Sequence, residues 1–178
     1  MKTVNIRFLG TIILMVLATT TQAADATKKA GDALALGLPL AAAGFSFANN
    51  DTTGLFQLAR SEAATLVATL ALKSATNETR PNGRDNKSFP SGHTSVAFSA
   101  AQYLQMRGGW QYGVPAYIAA TAVGYSRVDA KEHYWKDVIA GAALGIGTTY
   151  WLTDTLERRG VSVALTPHSA QIQLSQRW

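Results

Sequence analysis

His133 and Asp137 combine an imidazole and a carboxylate at a spacing that suits catalysis. They stand four residues apart at the start of an apolar segment, and on a helix that spacing places both side chains on one face. A carboxylate bonded to one imidazole nitrogen fixes the tautomer and leaves the other nitrogen with a free lone pair. Such a pair orients a base or a nucleophile. It is also an ordinary surface ion pair in many helices, and the pair alone does not decide between the two interpretations.

A second group, Pro90-Ser91-Gly92-His93, predicts an anion site at the start of a helix. Ser91 is a good N-cap, and Gly92 allows a ligand to approach the backbone closely. The free N–H groups of a helix start attract anions. His93 then lies in the first turn, where it can face a bound anion and deliver a proton. The alternative is a Ser-capped helix whose histidine is simply exposed.

Three cations complete the set of residues that could bind a phosphate. Lys73 ends one predicted helix, Arg80 follows across a loop, and Arg127 comes from another segment. Guanidinium groups bind phosphate oxygens in pairs, and lysine adds a point charge. Four further basic residues near these motifs are interpreted as solvated surface, and one histidine in the C-terminal turn as unimportant: Arg84, Lys87, Lys131, Lys136 and His168.

Together these groups resemble the signature of the type 2 phosphatidic-acid phosphatase superfamily, which also includes bacterial acid phosphatases and vanadium haloperoxidases. That signature is Lys, six residues, Arg-Pro; then Pro-Ser-Gly-His; then Ser-Arg, five residues, His, three residues, Asp. The chain matches it over residues 73–81, 90–93 and 126–137. All eleven signature residues stand at the required spacings, which excludes coincidence because each residue type occupies roughly one position in twenty.

The resemblance implies an enzyme that hydrolyses phosphate esters through a phosphohistidine. It assigns His133 as the nucleophile, Asp137 as the carboxylate that orients it, and His93 as the acid that protonates the leaving oxygen and then activates water. It assigns phosphate binding to five residues: Lys73, Arg80, Ser91, Gly92 and Arg127. No metal or other cofactor is implied, because three cations take the place of magnesium. Asp129, Glu132 and Asp137 also do not form a convincing oxygen cage for a metal ion.

The leading interpretation is therefore a metal-independent phosphatase that hydrolyses a phosphate ester or pyrophosphate of a lipid in the cell envelope. The alternative is a soluble, broad-specificity periplasmic acid phosphatase acting on small phosphomonoesters. A haloperoxidase is disfavoured because those enzymes are usually much larger and need vanadate. A silent protein that binds anionic lipid would not need a complete acid, nucleophile and orienting carboxylate. The expected partners are a phosphorylated substrate and a membrane surface, with no nucleic acid.

The N-terminal segment has the three parts of a secretory signal. Residues 1–7 are basic, residues 8–18 are almost wholly apolar, and small residues precede Ala23. This pattern predicts a signal peptide over residues 1–23, with an uncleaved membrane anchor as the alternative. Residues 24–178 then form one phosphatidic-acid phosphatase type 2-like domain. The chain contains no cysteine, so an exported form holds together by packing, without disulfides.

The elements that must position the motifs are predicted to be helices. The fold class is all-α, a compact helical bundle of the type that the family implies, with a small C-terminal β-hairpin predicted from the alternation after residue 160. Helices are expected near residues 33–50 (interrupted by Pro39), 55–73, 91–106, 114–125 and 133–157, and a loop over 74–90. Within the second helix, Leu58, Ala63, Leu66, Leu70 and Ala71 are expected to share one face.

The overall composition favours an exported bundle beside a membrane over one that crosses it several times. The mean hydropathy is near zero, which is low for a protein that is mostly transmembrane. The formal net charge is +5, and a positive balance attracts anionic substrates and anionic lipid surfaces without selecting either. The expected location is the periplasm or the periplasmic face of a membrane.

Overall fold

The computed structural model describes the backbone of residues 6–155, 160–166 and 169–175, and the side chains of residues 25–155. The described part contains five helices: α1 (Ile6–Ala48), α2 (Thr52–Thr76), α3 (Gly92–Gly108), α4 (Trp110–Asp129) and α5 (Trp135–Leu152). Strands β1 (Gly160–Thr166) and β2 (Ser169–Ser175) follow and pair antiparallel, with Val163 opposite Ile172. The prediction of a helical bundle is confirmed for the body of the protein. His168 lies outside the described residues.

Two of the helices continue through proline. Pro39 lies inside α1 and Pro115 inside α4, so the predicted interruption of the first apolar segment at Pro39 is wrong. A proline removes one hydrogen bond and strains one turn. Because α1 is 43 residues long, its remaining backbone hydrogen bonds keep the helix continuous at Pro39.

Helix α3 is the centre of the bundle and packs against the other four described helices. Its buried residues are mostly small, including Ala97, Ala100 and Ala101, with the fully buried Tyr103 near its end. At that end Arg107 donates to both carboxylate oxygens of Asp51 and to the backbone of α5's C-terminal extension. The start of α3, with His93, lies at the opposite end of the bundle.

Glycines bring α5 against the backbone of α3. A Cβ atom added to Gly145 would lie 2.1 Å from the carbonyl oxygen of Ser95, and one added to Gly141 would lie 2.6 Å from that of Ser91. Both distances are far below van der Waals contact, so only residues without a side chain fit. This close approach places the start of α5 beside the start of α3.

Paired hydroxyl groups link α2, α3 and the α5 segment to one another. We call this set the hydroxyl seam, and it consists of the pairs Thr69–Ser95 (2.9 Å), Thr65–Thr148 (2.5 Å), Ser61–Thr153 (3.1 Å) and Ser99–Thr149 (2.8 Å) between side-chain oxygens. Seven of its eight residues are buried or nearly so, and each pair satisfies groups that would otherwise be costly to remove from water. The helices are thus joined by small polar side chains as well as by apolar contacts.

Most leucines of α2 point away from the bundle. Leu58 is buried, but Leu66 and Leu70 are 46% and 63% exposed, and Ala63 and Ala71 are exposed as well. The expectation that these five residues share one face is therefore wrong. The inner surface of α2 is instead lined by small and polar side chains, because hydroxyl pairs and close backbone packing occupy the space facing α3 and α5.

The outer surface of the whole bundle carries large apolar side chains, as α2 does, and we call it the apolar exterior. Large apolar side chains are exposed on each described helix except α3: Leu36, Leu40, Phe47, Phe56, Leu66, Val67, Leu70, Trp110, Ile118, Tyr125, Trp135, Ile139, Tyr150 and Trp151. Each helix also contains a long stretch without Asp, Glu, Lys or Arg, over residues 33–50 at the end of α1, 63–72, 94–106, 110–126 and 138–153.

Candidate active site

His133 and Asp137 meet at the start of α5. Nδ1 of His133 lies 3.5 Å from Oδ2 of Asp137, and both side chains are buried. His133 itself precedes α5, which begins at Trp135, so the expectation that both residues stand on one helix is wrong. The contact forms because Asp137 folds back over the helix start, where its Oδ2 accepts the backbone N–H of Tyr134 at 2.9 Å.

Asp137 has a further partner that sequence reasoning missed. The hydroxyl of Ser88, fully buried, donates to Oδ2 of Asp137 at 2.5 Å. The backbone carbonyl of Asp137 accepts the N–H of Ser91 at 3.0 Å. Asp137 is thus fixed by the loop before α3, and this loop in turn holds the carboxylate against His133. Ser88 is one of several polar residues in that loop, and no pattern in the sequence distinguishes it.

The free nitrogen of His133 faces the cations. Its Nε2 lies 3.3 Å from Nη1 of Arg80. Burial, followed by the charges of Arg80 and Lys73, lowers the pKa of His133 to about 4. The imidazole is therefore neutral at ordinary pH, and with Nδ1 turned to Asp137 its lone pair is placed on Nε2, towards the cations.

Lys73 and Arg80 are anchored by acceptors on the surrounding loop. Nζ of Lys73 donates to the carbonyl oxygens of Pro90 (2.6 Å) and Lys87 (2.8 Å), and burial together with Arg80 lowers its pKa to about 8. Nε of Arg80 donates to Asp85 at 2.7 Å. The segment that leads into α3 thus supplies acceptors to both cations.

The start of α3 carries the second predicted group. Ser91 occupies the N-cap, but its hydroxyl bonds Oγ1 of Thr94 at 2.9 Å and makes no bond to a backbone N–H, so the expected side-chain cap is absent. Gly92 begins the helix, and a Cβ there would lie 3.9 Å from Cε of Lys73. His93 lies in the first turn and is half exposed.

Arg127 is buried near the end of α4 and is bound on several sides. Its Nη1 lies 2.5 Å from Oδ1 of Asp32, its Nη2 donates to the carbonyl oxygen of Lys28 at 2.8 Å, and Nε donates to Ser126 at 3.1 Å. Asp32 also lies 3.3 Å from Nε2 of His93. Helix α1 thus contributes to the site. Its charged residues match no part of the three motifs.

Glu132 forms ion pairs with three cationic side chains. Its carboxylate lies 2.9 Å from Nζ of Lys28, 3.0 Å from Nη1 of Arg80 and 2.9 Å from Nη2 of Arg84. Arg84, interpreted from the sequence as solvated surface, therefore pairs with a buried carboxylate at the edge of the site. Lys136 is exposed and pairs with Glu78 at 2.7 Å.

The site residues predicted from the sequence therefore come from four helices (α2–α5) and two loops, and α1 adds Asp32 and Lys28 at the same end of the bundle. The structure brings together Lys73, Arg80, Ser91, Gly92, His93, Arg127, His133 and Asp137. Within residues 25–155, no group of three or more His, Asp or Glu side chains is arranged to hold a metal ion. The arrangement offers a neutral imidazole, a second imidazole and three cations close enough to act on one another.

Comparisons with known proteins agree on one family. The model of the PAP2 superfamily matches residues 54–160. A lipid A 4'-phosphatase of Helicobacter pylori is 30% identical over 137 residues, which is 71% of this chain and 69% of that protein. A lipid A 1-phosphatase of Porphyromonas gingivalis is 38% identical over 86 residues, which is 44% of this chain. The chain spans only 19% of the length of that second relative.

A solved structure agrees with the fold. The crystal structure of Aquifex aeolicus LpxE superposes with a TM-score of 0.54 at 22% identity, covering 68% of this chain and 84% of the other. At that identity the likeness concerns the fold alone. The match of the family model to more than half of the chain, together with the Helicobacter relative, confirms the family that the three motifs indicated: the chain belongs to the PAP2 superfamily.

Proposed function

We propose that this chain is a metal-independent phosphatase that removes phosphate from a lipid at a membrane surface. The observation that carries the proposal is the position of the site: a buried imidazole with three cations lies at one end of a helical bundle whose exterior is apolar. The imidazole and cations supply the chemistry, and the exterior supplies the access to lipid.

The proposed reaction has two displacements at phosphorus. Nε2 of His133 attacks, a P–N bond forms, and the bond from phosphorus to the ester oxygen breaks while His93 gives that oxygen a proton. A water molecule then attacks the phosphohistidine, His93 takes a proton from it, and the P–N bond breaks to release phosphate. Asp137 balances the positive charge that develops on His133.

Cationic side chains fill the role that a metal ion has in many phosphatases. Phosphoryl transfer needs the charge on the three non-bridging oxygens to be neutralised and the reacting atoms to be held in line. Lys73, Arg80 and Arg127 supply this charge, with the Ser91 hydroxyl and the Gly92 N–H beside them. The nearby carboxylates already have partners, since Glu132 binds three cations and Asp137 binds Ser88 and Tyr134.

The apolar exterior favours a lipid as the leaving group. The uncharged stretch 110–126 of α4 is about 25 Å long at 1.5 Å per residue, close to the roughly 30 Å of a hydrocarbon core. Exposed aromatic residues lie near both ends of the bundle, as they do at membrane interfaces. Both bacterial relatives are named as lipid A phosphatases, which supports a phosphorylated envelope lipid as the substrate class.

A soluble acid phosphatase is the second candidate, and one observation favours it. Among the described helices, one stretch, Asp25–Ala48, is long and apolar enough to cross a membrane by length and composition. Such a bundle could stand beside the bilayer, reached by small phosphomonoesters through the half-exposed His93. For either substrate, the signal-like N-terminus supports an exported enzyme, in the periplasm or on the periplasmic face of a membrane.

The test is phosphate release by the purified protein in EDTA, from a phosphorylated lipid in mixed micelles and from a soluble phosphomonoester. We expect activity in EDTA, a higher kcat/KM on the lipid, and a loss of at least about 10³-fold in His133→Ala because the nucleophile is gone. His168→Ala removes the third histidine of the chain and serves as the control.

Two results would overturn the proposal in different ways. Activity that disappears in EDTA, or that survives in His133→Ala, would exclude the metal-independent phosphohistidine reaction. Equal or better hydrolysis of the soluble substrate would leave the reaction intact and assign the chain to the second candidate.

A further inference from the structure

Asp32 of α1 lies between two residues of the proposed reaction. Its Oδ1 is 3.3 Å from Nε2 of His93 and 2.5 Å from Nη1 of Arg127. Arg127 is 2% exposed, whereas Asp32 and His93 are about half exposed. A single carboxylate oxygen therefore bridges the imidazole at the start of α3 and the guanidinium at the end of α4.

The approach of α1 to this point depends on a glycine. Gly31 is buried, and a Cβ atom added to it would lie 1.9 Å from Oγ of Ser126 and 2.6 Å from Nη2 of Arg127. A side chain at this position would push α1 away from α4. The backbone carbonyl of Lys28, one turn earlier, accepts from Arg127. The contact of Asp32 is thus part of a packed interface between the two helices.

The contact also determines which nitrogen of His93 is free. With Nε2 turned to Asp32, Nδ1 is the atom that can give a proton to a leaving oxygen. A carboxylate on one nitrogen favours the imidazolium form and fixes the orientation of the ring. Four charged groups act on His93: Arg127 and Arg80 disfavour its protonation, and Asp32 and Glu132 favour it. Asp32 is the one that touches the ring.

We propose that Asp32 is a positioning residue that holds His93 as the acid of the reaction while it fixes Arg127 for phosphate. The inference rests on the proposed phosphatase function and adds a residue outside the three motifs. The site then contains two imidazole–carboxylate pairs, His133 with Asp137 for attack and His93 with Asp32 for proton transfer.

Asp32→Asn tests this role, because it keeps the shape of the side chain and removes the charge. Burial and Arg127 already lower the pKa of His93, so loss of the carboxylate lowers it further, and His93 is protonated only at lower pH. We expect kcat at pH 7 to fall at least 10-fold and the alkaline limb of the kcat–pH profile to move down by about one unit.

The binding of substrate is expected to stay the same. Arg127 keeps its charge, and the amide oxygen of asparagine can still accept its hydrogen bond, so KM should not rise. Disruption of the site would raise KM. A fall in kcat without a rise in KM therefore distinguishes a positioning role from a structural one. Asp32→Glu restores the charge and should return the alkaline limb towards its original position.

Asp25→Asn is the matched control, since it removes an exposed acidic residue two turns earlier on α1. Its pH profile should match that of the unmodified protein. The proposal is wrong if Asp32→Asn leaves the alkaline limb in place, or if it raises kcat, which would mean that Asp32 competes with phosphate. Should Asp32→Asn fold poorly, the pKa of His93 is measured in Asp32→Glu and in the unmodified protein by NMR titration, where a fall of more than about one unit in the glutamate variant contradicts the role.

Failure of this proposal is distinguishable from failure of the phosphatase function. If the unmodified protein releases no phosphate from any substrate, the function itself is wrong. If it does so and the Asp32 variants behave like Asp25→Asn, only the role of Asp32 is wrong.

Discussion

As the proposed nucleophile, His133 needs a neutral imidazole, and its surroundings favour the neutral form. Burial, Arg80 and Lys73 lower its pKa to about 4, and Asp137 opposes that shift. Burial and the charge of Arg127 also lower the pKa of His93. Protonation of His93 therefore requires acidic solution, and the proposed reaction should have an acidic optimum.

The acidic limb of the pH profile of kcat/KM should therefore move when a charge next to His133 is removed. Lys73→Gln takes away one cation that disfavours protonated His133, so the limb should shift to higher pH by about 0.5–1 unit. The overall rate should fall about 10²-fold, as for the loss of one charged donor at a transition state. The measurement is kcat/KM between pH 3.5 and 8 in detergent.

Lys136→Gln is the control, because that lysine is exposed and pairs with Glu78. A limb in Lys73→Gln that stays at or below its original pH would contradict the assignment of that limb to His133.

At this scale the motifs could be read from the sequence, and their partners could not. Residue types and spacings identified His93, His133 and Asp137. Asp32 meets Arg127 from 95 residues away, and Ser88 meets Asp137 from 49 residues away. Those contacts depend on how helices pack, which no local spacing encodes.

At the scale of elements, the helices themselves followed from the apolar segments, but their faces and starts did not. The leucines of α2 were expected to share a face with the buried Leu58, and most lie outside. An apolar stripe marks the inner face of a helix when the outer medium is water, and the exposed leucines of α2 fit the lipid surroundings that the proposed function requires. Likewise α5 begins after His133, because Asp137 satisfies the N–H of Tyr134 at the helix start.

The packing of α5 on α3 predicts that Gly145→Ala is destabilising. Its Cβ would lie 2.1 Å from the carbonyl oxygen of Ser95 and 2.8 Å from the N of Ser99, and backbone atoms cannot move aside. We expect a loss of about 1–3 kcal/mol in the free energy of unfolding. Activity should also fall, because α5 carries Asp137 and α3 carries His93. Thermal unfolding in detergent and phosphate release measure the two effects.

Gly147→Ala is the matched control two residues later on the same helix, where a Cβ would meet nothing within 4 Å. It should raise helix stability by about 0.5–1 kcal/mol. If both variants unfold at the same temperature, the close contact of α5 with α3 does not determine stability.

At the scale of the molecule, the apolar exterior predicts association with a bilayer. We expect the protein to co-sediment with vesicles containing anionic lipid, and to lose that association when Leu66→Lys and Leu70→Lys are combined. Both leucines are exposed on α2, and a lysine at the centre of a bilayer costs about 2.5–3.5 kcal/mol.

The control for this double variant is Thr53→Lys combined with Ala59→Lys, which adds the same charge at exposed positions of α2 outside its uncharged stretch 63–72. Vesicle binding should be retained there. If the leucine variant binds vesicles as well as this control does, the exterior of α2 does not face lipid and the soluble candidate gains support.

The hydroxyl seam has a consequence for how the enzyme tolerates its surroundings. Apolar helices attract one another strongly in water and only weakly in hydrocarbon, because the solvent then resembles their own side chains. A hydrogen bond such as Thr69–Ser95 is shielded from either medium, so it keeps α2 in register with α3 in both. Lys73 is one turn beyond Thr69 on α2. The hydrogen bond inside the protein therefore sets the distance between Lys73 and His93, and this distance should not depend on the lipid or detergent around the protein.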